Sequence, residues 1–205
     1  LGGEVKSLAA ALRLVSSERD RRSASTCELV WTGPEVGIAH ARDTAVVARE
    51  LFSRATTSVL IATYVVYQGQ DLFASLAEQM LDHPELEVHL VLNVSKKDGV
   101  EKTADAFIKW MWPKHAPQPK VYYDPRSLEE GKHSISMHAK CIVVDERFTL
   151  VTSANFTEAA HRRNIEAGAL IEDPAYARAM RAQFEDLIQN DILIELPLPK
   201  TEQSA

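Results

Sequence analysis

The sequence predicts an α/β fold, a mixed β-sheet layered between helices, and three observations carry that expectation. The run Ser58 to Val66 is β-branched and almost continuously apolar, as in a strand buried on both faces. Up to residue 113 such runs alternate with segments whose apolar residues recur every four positions, the mark of helices crossing between parallel strands. Beyond residue 120 the runs are short and closely spaced, which demands antiparallel neighbours. At 205 residues, 45% hydrophobic and 25% charged, the chain can bury one core without disulfides or metals, which excludes fibrous, collagenous and disordered classes. No apolar run approaches the roughly 18 residues of a membrane span, so a soluble chain without membrane insertion is expected.

Residues 1–30 are expected to be an accessory N-terminal helix and linker, residues 31–195 the main domain, and residues 196–205 a tail. Residues 4–15 have the spacing of a short helix, and Ser16 to Ser23 is polar. The chain opens on Leu1 with no basic stretch leading into an apolar one. A signal peptide is therefore not expected, and Leu1 reads as a boundary rather than a natural N-terminus.

After the turn Thr32-Gly33-Pro34, residues 42–56 place Val47, Leu51 and Ala55 on one helical face beside Phe52. The strand Ser58 to Val66, a helix over 70–83 with Leu72, Leu76 and Met80 in line, and a strand from Glu87 to Val94 make a βαβ unit. A helix over 101–113 ends at Pro113, and the segment from His115 to Pro119 breaks the pattern before a strand from Lys120 to Tyr123. A loop runs from Asp124 to Ser134. Strands follow from Met137 to Val144 and from Phe148 to Ser153, joined tightly by Asp145-Glu146-Arg147, and a further one from Asn164 to Ile171. Asp173 caps the last helix, Pro174 suits its first turn, and Met180, Phe184, Leu187 and Ile188 form its stripe.

The net charge is −6, which argues against a surface that grips nucleic acid everywhere, yet residues 109–140 carry a net charge of +3. Cys27 and Cys141 make a poor disulfide framework and are expected to be reduced thiols of a cytoplasmic protein. With single cysteines and scattered histidines there is no zinc-ligand spacing, and no cofactor is expected.

The chemistry concentrates between His138 and Asn155. On the predicted strand Met137 to Val144 the side chains alternate, so His138 and Lys140 share a face while Ala139, Cys141 and Val143 take the other. A neutral imidazole nitrogen can attack phosphorus, and the ammonium beside it can steady oxygens that gain charge. Asn155, at the end of the neighbouring strand, can donate an amide hydrogen to the same oxygens. That set suits a phosphodiester, although an isolated His-x-Lys is usually an ordinary surface pair.

The complete spacing resembles the H-x-K-x4-D-x6-G-S-x-N signature of the phospholipase D superfamily, whose phosphodiesterases, nucleases and phospholipases share a phosphohistidine mechanism. His138, Lys140, Asp145, Ser153 and Asn155 match it, and Thr152 stands where the family has glycine. The segment Asn164-Ile165-Glu166-Ala167-Gly168 is similar to the family's Asn-x-Glu-x-Gly. This implies that Glu166 accepts a hydrogen bond from the catalytic histidine; the plainer reading is a surface carboxylate in a salt bridge. Ser58 to Tyr67 resembles the strand and loop leading to the substrate groove, which makes Tyr64, Tyr67 and Gln68 groove candidates, with aromatic packing the alternative for either tyrosine. The resemblance spans about residues 40–190. Within it, Val30 to Pro34, Tyr122 to Leu128 and Thr152 to Ala159 are similar to the phospholipase D-like component of bacterial anti-phage DISARM systems, which implies defence-system partner proteins.

The resemblance implies a metal-independent phosphodiesterase, with a nuclease of anti-phage defence, acting on DNA or RNA, as the leading reading. A phospholipase ranks lower because no lipidation motif or strongly cationic amphipathic helix is present. The family's mechanism uses two histidines, and none of His40, His83, His89, His115, His133 and His161 begins a second signature. A homodimer with its two signatures facing each other is therefore expected; pairing with another protein, or a vestigial site in a binding subunit, is the rival. Asp145 lies too far along the strand for acid catalysis and is expected to bond within the sheet, while Ser153 orients the turn or touches phosphate. Arg162 and Arg163 are candidates for contact with a polyanion, or simply solvated. Trp110 and Trp112 are candidates for base stacking, with at least one expected in the core.

Overall fold

The computed structural model describes residues 25–34, 41–64, 69–114, 116–130, 135–156 and 164–199. The expected N-terminal helix lies outside these, as do Tyr67, Gln68, Arg162 and Arg163. The strands are β1 (Thr26–Thr32), β2 (Ser58–Thr63), β3 (Glu87–Leu92), β4 (Lys120–Tyr123), β5 (Cys141–Val144), β6 (Phe148–Thr152), β7 (Glu166–Glu172) and β8 (Ile194–Glu195). The helices are α1 (Thr44–Ser53), α2 (Gln70–Asp82), α3 (Gly99–Ala106) and α4 (Pro174–Gln189), and α3 runs on into one π-turn at Phe107–Met111. Among the described residues one sheet takes in all eight strands, in the order β1-β7-β6-β5-β2-β3-β4-β8. The pairs β2·β3 and β3·β4 are parallel and the others antiparallel, so the sheet is mixed as the sequence predicts.

β2 sits in the middle of this order, and every one of its six residues is buried. Val59 and Ile61 face α1, α2 and the π-turn, packing with Phe52, Phe73, Phe107 and Trp112. Leu60 and Ala62 face α4 together with Val91, Cys141 and Val143, against Ala177 and Phe184. Alternate side chains thus feed two cores, which is why the strand reads as an unbroken apolar run. Asp43 caps α1 by accepting from the N–H groups of Ala45 and Val46, and Asp173 caps α4 by accepting from those of Ala175 and Tyr176.

The structure corrects several boundaries. β2 stops at Thr63 rather than Val66, and β5 begins at Cys141 rather than Met137 because its first partner in β2 is Ala62. His138 and Lys140 therefore lie in an irregular stretch leading into β5, not on a strand. β1 and β8 are strands that apolar patterning did not announce. β1 is half exposed and pairs antiparallel with β7 at the edge, while β8 is two residues long and pairs with β4. The sheet and core thus take in Thr26 to Val30 and the buried Leu196, which fall in the flanking segments expected from sequence. The helix expected over 101–113 starts at Gly99 and ends in the π-turn. In the three-residue connection between β5 and β6, Asp145 and Glu146 take φ of 51° and 49°, the positive pair of a tight turn that the Arg147 N–H closes by donating to the Val144 carbonyl at 3.0 Å.

Candidate active site

Sheet topology gathers the chemistry at one edge. β2, β3 and β4 run in parallel, so their C-terminal ends share that edge. The antiparallel partners β5 and β7 start there, and β1 and β6 finish there. The edge thus collects Tyr64 after β2, Asn93 after β3, His138 and Lys140 before β5, Ser153 and Asn155 after β6, and Glu166 at the start of β7.

The Lys140 Nζ donates to the carbonyl oxygen of His138 at 3.2 Å and lies 3.4 Å from its Nδ1. The second contact is at the outer limit of hydrogen bonding, so it sets proximity rather than a tautomer. The Tyr64 ring packs against the His138 ring with centroids 5.0 Å apart, and the Lys140 ammonium is 5.9 Å from the Tyr64 centroid. Of the groove candidates, Tyr64 is the one within the described residues, and it touches the histidine itself. Lys140 is held from the other side, since its carbonyl accepts from the Thr152 N–H at 3.1 Å.

Across β6 and β7 the hydroxyl of Ser153 donates to Glu166 Oε2 at 2.5 Å and accepts from the Ala167 N–H at 3.1 Å. Asn164 Nδ2 donates to the other carboxylate oxygen of Glu166 at 3.0 Å. Among the described residues no hydrogen bond joins Glu166 to His138, so the carboxylate is oriented by Ser153 and Asn164. Asn155 is half-buried, and its side-chain oxygen is enclosed without a hydrogen-bond partner among the described residues. Such an acceptor is costly unless a donor satisfies it.

Asp145 stands at the opposite edge. Its carboxylate accepts from the N–H groups of Thr56, Thr57 and Ser58 and from the hydroxyls of Thr56 and Thr57. Burial pushes its pKa up, but these donors outweigh burial and hold it below the usual value. The signature aspartate thus ties the β5–β6 hairpin to the start of β2, far along the sheet from the histidine.

Two supports escaped the sequence. Asn93 Oδ1 accepts from the Met137 N–H at 3.1 Å and so anchors the approach to His138; the signal was an asparagine closing a buried strand. Gly33, at φ 140°, lets Ile165 come so near that a Cβ there would meet Ile165 Cγ1 at 3.3 Å, which seats the residue before Glu166. A cavity of about 310 Å³, lined by residues such as Pro84, Leu86, His89 and Lys120, opens at the starts of β3 and β4 and includes none of the signature residues. Among the described residues no three His, Cys, Asp or Glu side chains are grouped to hold a metal ion, and no helix is long and apolar enough to cross a membrane.

A family model described as cardiolipin synthase, PLD-like domain, matches residues 48–188. The DISARM protein DrmC of Bacillus paralicheniformis is 27% identical over 153 residues, covering 74% of this chain and 59% of the relative, so the chain spans about three fifths of that protein's length. The fold is similar to that of NucT from Helicobacter pylori, with a TM-score of 0.61 and 14% identity over 83% of this chain and 99% of that one. Nuc of Salmonella typhimurium, a phospholipase D family member, superposes with a TM-score of 0.57 and 17% identity, covering 83% of this chain and 97% of its own. The phosphatidylserine synthase of Haemophilus influenzae reaches a TM-score of 0.54 at 16% identity, over 84% of this chain and 40% of its own.

Proposed function

This chain belongs to the phospholipase D-like family, and we propose that it is a metal-independent phosphodiesterase, a nuclease of anti-phage defence working through a phosphohistidine. The observation that carries the proposal is the convergence of His138, Lys140, Ser153, Asn155 and Glu166 on one sheet edge. Similarity to DrmC supports the defence role and defence-system partner proteins.

In the proposed reaction His138 Nε2 attacks phosphorus, and the N–P bond forms as the P–O bond to the leaving group breaks. Lys140 and the Asn155 amide steady the phosphoryl oxygens, and Glu166 balances the charge on the imidazole once Ser153 has set its orientation. The leaving oxygen takes a proton from the partner subunit's His138, which then accepts a proton from the water that breaks the N–P bond. A single signature therefore calls for a homodimer with the two edges facing each other. Tyr64, Tyr67, Gln68, Arg162 and Arg163 are proposed to line the strand-binding groove. Light scattering at micromolar concentration should report a dimer, and a strict monomer counts against the pairing.

Hydrolysis of bis(p-nitrophenyl) phosphate and of single- and double-stranded DNA and RNA, in EDTA, tests the chemistry. Activity that resists EDTA and is lost in His138→Ala is expected. Activity absent from the parent, or unchanged by the substitution, overturns the catalytic reading and favours a partner-activated or binding subunit.

A further inference from the structure

The two tryptophans of the π-turn region part ways. Trp112 is 2% exposed, packs on Phe73 and Phe107, and donates its indole N–H to the Pro117 carbonyl, whereas Trp110 is 44% exposed. The π-turn is the physical cause. Its i→i+5 winding, closed by the Trp112 N–H donating to the Phe107 carbonyl, lets Phe107, Met111 and Trp112 all face inward and leaves Lys109 and Trp110 adjacent on the outside. There the Lys109 ammonium lies 4.9 Å from the centre of the Trp110 ring.

This pair is tied to the chain segment that follows the candidate site. The Trp110 carbonyl accepts from the Gly69 N–H at 3.0 Å, and Gly69 is five residues beyond Tyr64, whose ring packs on His138. Five residues span at most about 18 Å, a reach that a few nucleotides of single strand can follow. On the same edge, β3 leads through Asn93 to the exposed Lys96 and Lys97, while Asp98 between them and α3 is bound back onto the Ser95 hydroxyl at 2.6 Å. Neither of these lysines, nor Lys109, is ion-paired among the described residues.

Resting on the phosphodiesterase reading, we propose that Trp110 is a base-stacking platform beside the candidate active site, with Lys96 and Lys97 on the phosphates, and that the preferred polymer is single-stranded nucleic acid. An exposed indole needs an unstacked base to offer its face, which a duplex does not supply. The exposed neighbours on the same helix, Glu101, Lys102, Asp105 and Lys109, are charged, which disfavours a bilayer as the partner of this face.

Binding of fluorescein-labelled dT15, followed by anisotropy in a His138→Ala background with EDTA, decides it. Trp110→Ala should weaken binding about tenfold or more, as loss of one stacked base does, while Trp110→Phe should retain most of the affinity and both should melt at the parent's temperature. Replacing Lys96 and Lys97 together by alanine should lower the slope of log affinity against log salt by about 1.4. A 15-base-pair duplex should bind more weakly and ignore Trp110. Equal binding of dT15 by Trp110→Ala and its parent overturns the proposal, as does failure of dT15 to bind, or Trp110-dependent capture of phosphatidylglycerol vesicles in its place. The background lacks the nucleophile, so the two readings fail separately. Trp110-dependent binding without hydrolysis by the parent sinks the catalytic reading alone, and hydrolysis without Trp110-dependent binding sinks this one alone.

Discussion

Gly168 on β7 lies directly opposite Thr152 on β6, and the absent side chain of the one makes room for the other. A Cβ at Gly168 would stand 2.6 Å from the Val151 carbonyl oxygen and 3.0 Å from the Thr152 Cβ. Thr152, buried where the family usually has glycine, puts its hydroxyl to use by accepting from the Ala154 N–H at 3.0 Å, which shapes the turn carrying Ser153 and Asn155.

Gly168→Ala should therefore destabilise the protein by about 1–3 kcal/mol, the usual cost of overpacking, read as a lowered midpoint in thermal or urea unfolding. Adding Thr152→Gly should not rescue it, because the nearest clash is with a backbone carbonyl. Recovery of stability in the double variant would contradict this account.

Asp145→Asn should cost about 2–4 kcal/mol, since five donors lose a charged acceptor near the hairpin. The folded pKa of Asp145 lies below its unfolded value, so its contribution is fully present above the unfolded pKa and is lost as pH falls through the folded one. Urea unfolding should show the parent and Asp145→Asn converging as pH drops from 6 towards 3. Parallel curves over that range would count against the linkage.

Ser153→Ala should lower turnover about 10- to 100-fold by releasing Glu166 from its set orientation, and Ser153→Thr should restore most of it. Because the effect passes through Glu166 to the imidazole, the pH profile of kcat should move with Ser153→Ala while KM for a small diester changes little. A loss confined to KM would assign Ser153 to phosphate binding instead.

Cys141 is buried, and burial pushes its thiol up to about 11, against a smaller opposing effect of a hydrogen bond with the Ala62 backbone. Cys27 is exposed on the edge strand β1. Ellman's reagent at pH 8 should consequently titrate one thiol at once in the native protein and the second only on unfolding. Two fast thiols would show that the core under α4 opens readily.

The identities and order of the signature residues were legible from the sequence because chemistry is local in it: one imidazole, one ammonium and one amide at family spacing. The central sheet was legible for a related reason, since β2 and β3 feed apolar residues to two cores at once and so leave long apolar runs. Edge elements were not. β1 and β8 owe their conformation to hydrogen bonds with β7 and β4, and a strand made by its partner has no pattern of its own. Distance was the other thing that only the tertiary structure decided. It placed Asp145 at the far edge, handed Glu166 to Ser153 and Asn164, and sent Trp110 outward while burying Trp112, two residues along. Each of those outcomes depends on where strands end and how one π-turn is wound, and both are settled by packing between segments that are distant in the chain.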